Sequence, residues 1–266
     1  MAGLWSRWQR WRRARRLRRF RIPVRLWRQV EGQVLARYRL TAGERTRLHE
    51  LASLFLQEKT IVGADGLAVD EAMRVVIAAQ ACLLILNLDL SDYAGFHEII
   101  VYPDSFVVAH EVVDEIGVVH VEHRTLDGEA WDEGPVILGW ADARPEAHVP
   151  GEGYNVILHE FAHKLDMNNG VANGMPPLHG DMDRRAWTAA FSAAFDHLQA
   201  RLRHHRQTAI DPYAAESPAE FFSVVTEAFF ETPQALWRAY PEVYDQLRRY
   251  YRQDPLARLS TVAGSG

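Results

Sequence analysis

The chain has 266 residues, 48% hydrophobic and 24% charged, with a net charge of −5; this suffices for one large domain, or two small lobes, of ordinary globular composition. Its single cysteine, Cys82, excludes an internal disulfide and points to a reducing, cytoplasmic setting. Residues 1–28 hold 11 of the 30 basic residues and no acidic ones, so the remainder carries 19 basic against 35 acidic residues, a basic arm on an acidic body of net −16.

The arm, residues 1–30, interleaves tryptophans with its arginines. Taken as a helix at about 100° per residue, Leu4, Trp5, Trp8 and Trp11 share an arc of about 120°. Beyond them Arg12, Arg15 and Arg19 occupy the same face. No apolar run follows the charges, so a secretory signal is not expected. Such a segment suits contact with an anionic membrane or with nucleic acid. The plainer alternative is a solvated tail with a tryptophan or two tucked onto the body. No nucleic-acid-binding module accompanies it.

Thr41-Ala42-Gly43-Glu44 has the form of a capping box and predicts a helix running through Lys59. Val69–Leu88 supplies a second, strongly apolar helix. Its core run, Val75–Leu86, is about 12 residues long, too short to span a bilayer, and makes Cys82 a buried small hydrophobe. The two helices read as a helical lobe over 40–90. From Gly95 the chain changes character. Glu98–Tyr102, Ser105–His110, Gly117–Arg124 and Pro135–Trp140 are short runs rich in Val, Ile and aromatics, broken by Pro, Gly and Asp, and predict strands over 95–140. His97, His110, His120, His123 and His148 are scattered there without ligand spacing, which favours surface or structural roles.

A helix follows over 153–168, with Asn169-Gly170 as its stop. After a Gly- and Pro-rich loop, helices are predicted over 183–203, 218–231 and 234–252, the C-terminal block spanning 183–252. Residues 260–266 read as a flexible tail.

The helix over 153–168 contains His159-Glu160-Phe161-Ala162-His163. Positions four apart project from one face, so two neutral imidazoles can hold one Zn2+. Glu160, about 100° round the helix, can reach a water on the metal and act as general base. A catalytic zinc needs a third protein ligand. Candidates cluster in Asp211–Phe222, with Glu227 and Glu231 beyond; Glu220, Glu216 and Glu227 lead. Ser217-Pro218-Ala219-Glu220 is also a helix start, which gives Glu220 a role without any metal. Tyr213 can donate its phenolic proton to an oxyanion, or simply pack as a loop tyrosine. Asp166 can accept a ring N–H from a ligand histidine, or close the helix.

Several stretches together resemble the Mlc titration factor A family of zinc peptidases: Gly95–Pro103, Gly134–Leu138, Gly153–Asp166, Asp211–Ala215 with Pro218–Glu220, and Tyr251–Leu256. The resemblance runs in order from roughly residue 40 to 259. It implies an α+β, mainly helical, zincin-like metallopeptidase fold over 31–259 with a small β-sheet, distantly related to the catalytic domain of anthrax lethal factor. It further implies a gluzincin-type site with one Zn2+ per chain. His159, His163 and Glu220 become the metal ligands, Glu160 the base and Tyr213 the oxyanion donor. The family also binds the repressor Mlc in the cytoplasm and so affects expression of the glucose phosphotransferase transporter. Two readings follow: a zinc-dependent metallopeptidase, with aminopeptidase action as one form of it, and a repressor-sequestering factor whose zinc is mainly structural.

Overall fold

In the computed structural model, the described residues are 15–17, 20–104, 106–113, 119–126, 128–130, 134–147 and 151–263, with backbone alone from 106 to 130 and from 260 to 263. The expected amphipathic stretch Leu4–Trp11 and His148 lie outside them.

The first helix, α1 (Val24–Val30), follows Pro23, which has no amide hydrogen to leave unpaired. Ile22, Trp27 and Val30 are buried. The Ile22 amide donates to Ser53 Oγ at 3.1 Å, its carbonyl meets His49 Nε2 at 2.9 Å, and the Trp27 and His49 rings stack at 4.7 Å. The body thus takes in residues 20–30. α2 (Ala42–Glu58) starts at the expected capping box, Thr41 and Glu44 bonding reciprocally. α3 (Glu71–Leu84) is capped by Asp70. It is buried from Val75 to Leu84, Cys82 included, as its all-round apolar sequence requires.

The sheet is small and central. β1 (Thr60–Gly63), β2 (Glu98–Tyr102) and a strand over Val136–Gly139 run parallel, with Ile61 opposite Ile99 and Ile99 opposite Val136. Between these in the chain, β3 (Phe106–Val113) and β4 (Val119–Leu126) pair antiparallel as a separate ribbon that carries His110, His120 and His123. β5 (Gly128–Ala130) lies antiparallel on the outer edge of β6 (Val136–Gly139), giving the order β1-β2-β6-β5. All four β6 residues are buried, as expected for a strand covered on both faces. The sequence reading had no strand at Thr60–Gly63; four residues directly after a long helix carry too little period-2 signal to stand out.

α4 (Val156–Asp166) is shorter than the expected 153–168 because Asn155 caps it, its Oδ1 accepting from the Leu158 amide at 3.2 Å. Every residue of α4 is buried. Phe161 points into an aromatic cluster with Phe55, Tyr93 and Phe96, its ring centroid 5.3–5.8 Å from theirs. α5 (Arg184–Arg203) and α6 (Pro218–Glu231) follow, α6 packing along α4. The helix expected over 234–252 is two helices, α7 (Pro233–Ala239) and α8 (Pro241–Tyr251). Pro241 lacks the amide that would continue α7, so the chain turns at Tyr240 and restarts. α9 (Pro255–Ala263) ends the described chain. Among the described residues no helix is long and apolar enough to cross a membrane.

One glycine sets how α4 and α6 meet. Gly174 has φ +79°, and a Cβ there would fall 2.4 Å from the Pro218 carbonyl oxygen, in the first turn of α6. Its amide donates to Asp166 Oδ2 at 2.7 Å and its carbonyl accepts from Trp187 Nε1 at 3.0 Å. Gly174→Ala is expected to cost about 2–4 kcal/mol, combining left-handed strain with displacement of α6. Gly66, also left-handed at φ +80°, has nothing within 4 Å; Gly66→Ala should cost about 1 kcal/mol. Denaturant unfolding of both variants checks this, and equal losses would refute it.

Asp166 carries the Gly-rich loop on one oxygen, Oδ2 also accepting from Asn173 N at 2.8 Å. Burial pushes its carboxyl up to about 6, against these amides. A folded value of about 6 over an unfolded one near 3.9 means the folded state binds more protons between them. The stabilising contribution is complete below about pH 4 and is lost as pH rises through about 6, by up to about 3 kcal/mol. The stability difference between wild type and Asp166→Asn should shift by that order between pH 4.5 and 7.5; a constant difference would refute it.

Candidate metal centre

α4 brings His159 and His163 onto one face, one turn apart. α6 begins at Ser217, whose Oγ accepts from the Glu220 amide at 3.1 Å, with Pro218 next in its first turn. This cap leaves the Glu220 carboxylate to point at the histidines. His159 Nε2 lies 3.0 Å from Glu220 Oε2 and 3.1 Å from His163 Nε2, and His163 Nε2 lies 3.4 Å from the same oxygen. The structure therefore brings together the three residues expected as ligands, while Glu216 is exposed and outside the cluster.

The donor chemistry fits a cation. His159 Nδ1 faces Glu227 Oε1 at 2.8 Å, which places the ring hydrogen on Nδ1 and leaves Nε2 as a lone pair. That lone pair meets a second imidazole nitrogen and a carboxylate oxygen, an arrangement that repels itself unless a positive charge sits between. Ligand atoms about 2.0–2.1 Å from a tetrahedral Zn2+ stand about 3.3–3.4 Å apart, close to the 3.0–3.4 Å separations of this cluster. With no metal bound, a proton on the imidazole nitrogens stands in for that positive charge: burial pushes the Glu220 carboxyl up, but hydrogen bonding from the imidazole N–H groups of His159 and His163 outweighs it and holds the group well below its usual range. Glu220 is therefore an anion.

Glu227 was weighed as a ligand; it stands one layer behind. Its Oε1 binds His159 Nδ1 and its Oε2 accepts from the Asn155 amide. Burial raises its pKa, opposed in part by the hydrogen bond with His159. Asn155 Nδ2 reaches Gln80 Oε1 at 2.7 Å and Glu231 Oε1 at 2.8 Å, and Glu231 also takes the Tyr38 hydroxyl and Arg37. A buried chain thus runs from the N-terminal segment through Glu231, Asn155 and Glu227 to His159. Sequence reasoning offered Glu231 only as a further ligand candidate and missed Asn155. The signal was present: on a 3.6-residue helix, spacings of 7 and 11 put Glu220, Glu227 and Glu231 within about 20° of one stripe. Asp166 makes no hydrogen bond to His163, whose Nδ1 is buried without a partner among the described residues. It holds the 173–174 amides instead.

Glu160 is buried and, with His159, lines a cavity that also includes Tyr213. Tyr213 is 38% exposed, its ring centroid 6.1 Å from that of His159. Asp211 Oδ1 accepts from the Tyr213 amide at 2.8 Å and sets the turn that presents the ring. His97 falls outside the cluster; the side chains of His110, His120 and His123 lie outside the described residues.

Two histidines and a glutamate converging from two packed helices, with a carboxylate and a phenol beside them, define a metallopeptidase-type centre. The sequence profile of the glucose-regulated metallo-peptidase family M90 matches residues 8–252, and the chain belongs to that family. It is 39% identical over 232 residues to an uncharacterised protein of Synechocystis, covering 86% of this chain and 84% of that one. It is 40% identical to proteins named Mlc titration factor A in Salmonella typhi and Salmonella typhimurium, covering 85% of this chain and 86% of each.

Removal of the Glu227 carboxylate tests its place behind His159. Glu227→Ala should weaken metal affinity by about 10–100-fold, and Glu227→Gln, which keeps an acceptor, should lose less. Competitive chelator titration measures both; equal affinity in wild type and Glu227→Ala would refute the assignment.

Proposed function

We propose that the protein is a zinc-dependent peptidase of the gluzincin type, with His159, His163 and Glu220 as ligands. The observation that carries this reading is the convergence of three ligand atoms within 4.8 Å beside a cavity lined by Glu160 and Tyr213. Bound there, Zn2+ would supply Lewis acidity and lower the pKa of an attacking water toward ~7. Glu160 takes the proton as that water attacks the peptide carbonyl and passes it to the leaving amine. The Tyr213 hydroxyl donates a hydrogen bond to the oxygen on which negative charge develops. Glu227 holds the His159 ring so that Nε2 keeps its lone pair for the metal. Whether the cut falls at the amino terminus or inside a chain is a property of the cleft ends, and the aminopeptidase mode is one outcome of the assay below.

The second reading is supported by the name of the Salmonella relatives. On that reading the protein works in the cytoplasm, captures a repressor of the Mlc type and so regulates sugar phosphotransferase expression, with zinc mainly structural.

Glu160→Gln should retain zinc and lose at least ~10²-fold in hydrolysis, read by metal analysis alongside peptide turnover; undiminished turnover would overturn the mechanism. Glu220→Ala should lose zinc where Glu216→Ala keeps it. A Glu160→Gln protein that still rescued a deletion strain would favour repressor capture.

A further inference from the structure

The cavity beside Glu160 is lined in part by five apolar side chains: Val156 from the first turn of α4, Val224 and Ala228 from α6, Ile210 from the segment before Asp211, and Ala235 from α7, with Tyr154 and Thr232 also in the lining. None of these five side chains bears a polar atom. Val156, Val224, Ala228 and Ile210 are buried. The volume is about 340 Å³, inside the range of roughly 300–1,000 Å³ common for small-ligand sites.

Two features fix what fits. The first is size: Ala228 and Ala235 present only a methyl group each where a larger residue would fill the space. The second is polarity. Glu227 borders the cavity, but both its oxygens are engaged, by His159 and by the Asn155 amide. The other carboxylates of the wall beyond Glu160, Glu152 and Asp211, stand at its exposed edge. A charged side chain set against these five residues would meet no opposite charge among them, and elsewhere in the lining the uncharged hydroxyls of Tyr154 and Thr232, at a desolvation cost. An apolar one would gain about 25 cal/mol per Å² of surface removed from water.

Glu160 and Tyr213 line the same cavity as this apolar wall. A peptide carbonyl placed between them therefore sets a neighbouring side chain into the pocket. We infer that this cavity selects the substrate, taking a large aliphatic or aromatic side chain beside the scissile bond, with Ala228 and Ala235 as the residues that set its size. The inference rests on the peptidase reading for its chemistry, but the binding preference it states does not depend on turnover.

The test uses pentapeptides that differ only in the central residue: Gly, Ala, Leu, Phe, Lys or Glu. Cleavage is followed with the zinc-loaded full chain, and equilibrium binding is measured on zinc-loaded Glu160→Gln by calorimetry. Leu and Phe peptides should exceed the Gly peptide by roughly 10–200-fold in kcat/KM, the span a hydrophobic pocket supplies, and bind at least ~10-fold more tightly. Ala235→Phe, at a half-buried position that can accept a larger ring, should cut the Leu-to-Gly ratio by ~10-fold or more. Ala235→Leu is the smaller step if the phenylalanine perturbs folding by circular dichroism. Equal binding of all six peptides, a preference for Lys or Glu, or a ratio unmoved by both Ala235 variants overturns the inference. Tight, selective binding of Leu and Phe peptides with no bond cleaved by the wild type upholds the pocket and overturns the hydrolytic reading.

Discussion

The structure is organised by the burial of a helix that cannot be buried cheaply. α4 is inaccessible along its whole length, yet it carries His159, Glu160, His163, Lys164 and Asp166. A buried ionisable group without a partner costs several kcal/mol, so neighbouring elements must supply partners. Lys164 Nζ donates to the Gly134 carbonyl at 2.9 Å, just before β6, and lies 5.8 Å from the Phe96 ring. Asp166 takes the amides of Asn173 and Gly174. The histidines face Glu220 and Glu227 of α6. The sheet, the Gly-rich loop and α6 are thus each tied to α4 by an electrostatic requirement, while Phe161 ties it to α2 through an aromatic cluster. The site is the core of the fold, not a graft on its surface.

That arrangement explains which parts were legible in the sequence. α2 and α6 announced themselves through their caps, Thr41 with Glu44 and Ser217 with Pro218, and α3 through its apolar run, its Asp70 cap being visible only in the structure. The histidine pair was legible from its four-residue spacing; the helix start at Ser217 gave Glu220 a plain role, and it was the family resemblance that singled it out from Glu216 and Glu227. β1 was not legible, because four residues of a parallel strand are recognisable only once β2 lies beside them. The break between α7 and α8 is marked in the sequence by Pro241, which the expected helix over 234–252 ran through. Asn155 was hidden for a different reason. Its capping role is local, but its second role, bridging Gln80, Glu227 and Glu231, joins positions 75, 72 and 76 residues away. Nothing in a linear pattern encodes a contact of that range.

The three carboxylates on the inner stripe of α6 show how one helix face can serve three layers of a site. Glu220, nearest the helix start, is held ionised by two imidazoles. One layer in, Glu227 is raised by burial and bonded to the far nitrogen of His159 and to the Asn155 amide. Furthest out, Glu231 gathers Tyr38, Arg37 and Asn155. Outward from the metal ligands, each carboxylate positions what the previous one touches. Rotating α6 would disturb all three layers at once. This is why the close approach of Gly174 to Pro218 matters to the chemistry: the glycine sets the seat of the first turn of α6, and through it the direction of Glu220.

On the proposed reading, the same packing separates catalysis from selection. The His159 ring and the Glu227 carboxylate lie between α4 and α6, where His159 Nδ1 and both Glu227 oxygens are committed to neighbours. The cavity beside Glu160 is lined in part by valine, isoleucine and alanine. On the proposed reading that part offers a substrate shape and apolar contact, while charge stands at the reacting centre and at the exposed rim. Changes at Ala228 or Ala235 can alter what is bound without touching a ligand, whereas no change at Glu227 or Asn155 can avoid the metal. A chain built this way can vary its substrate while the centre that acts on it stays constant.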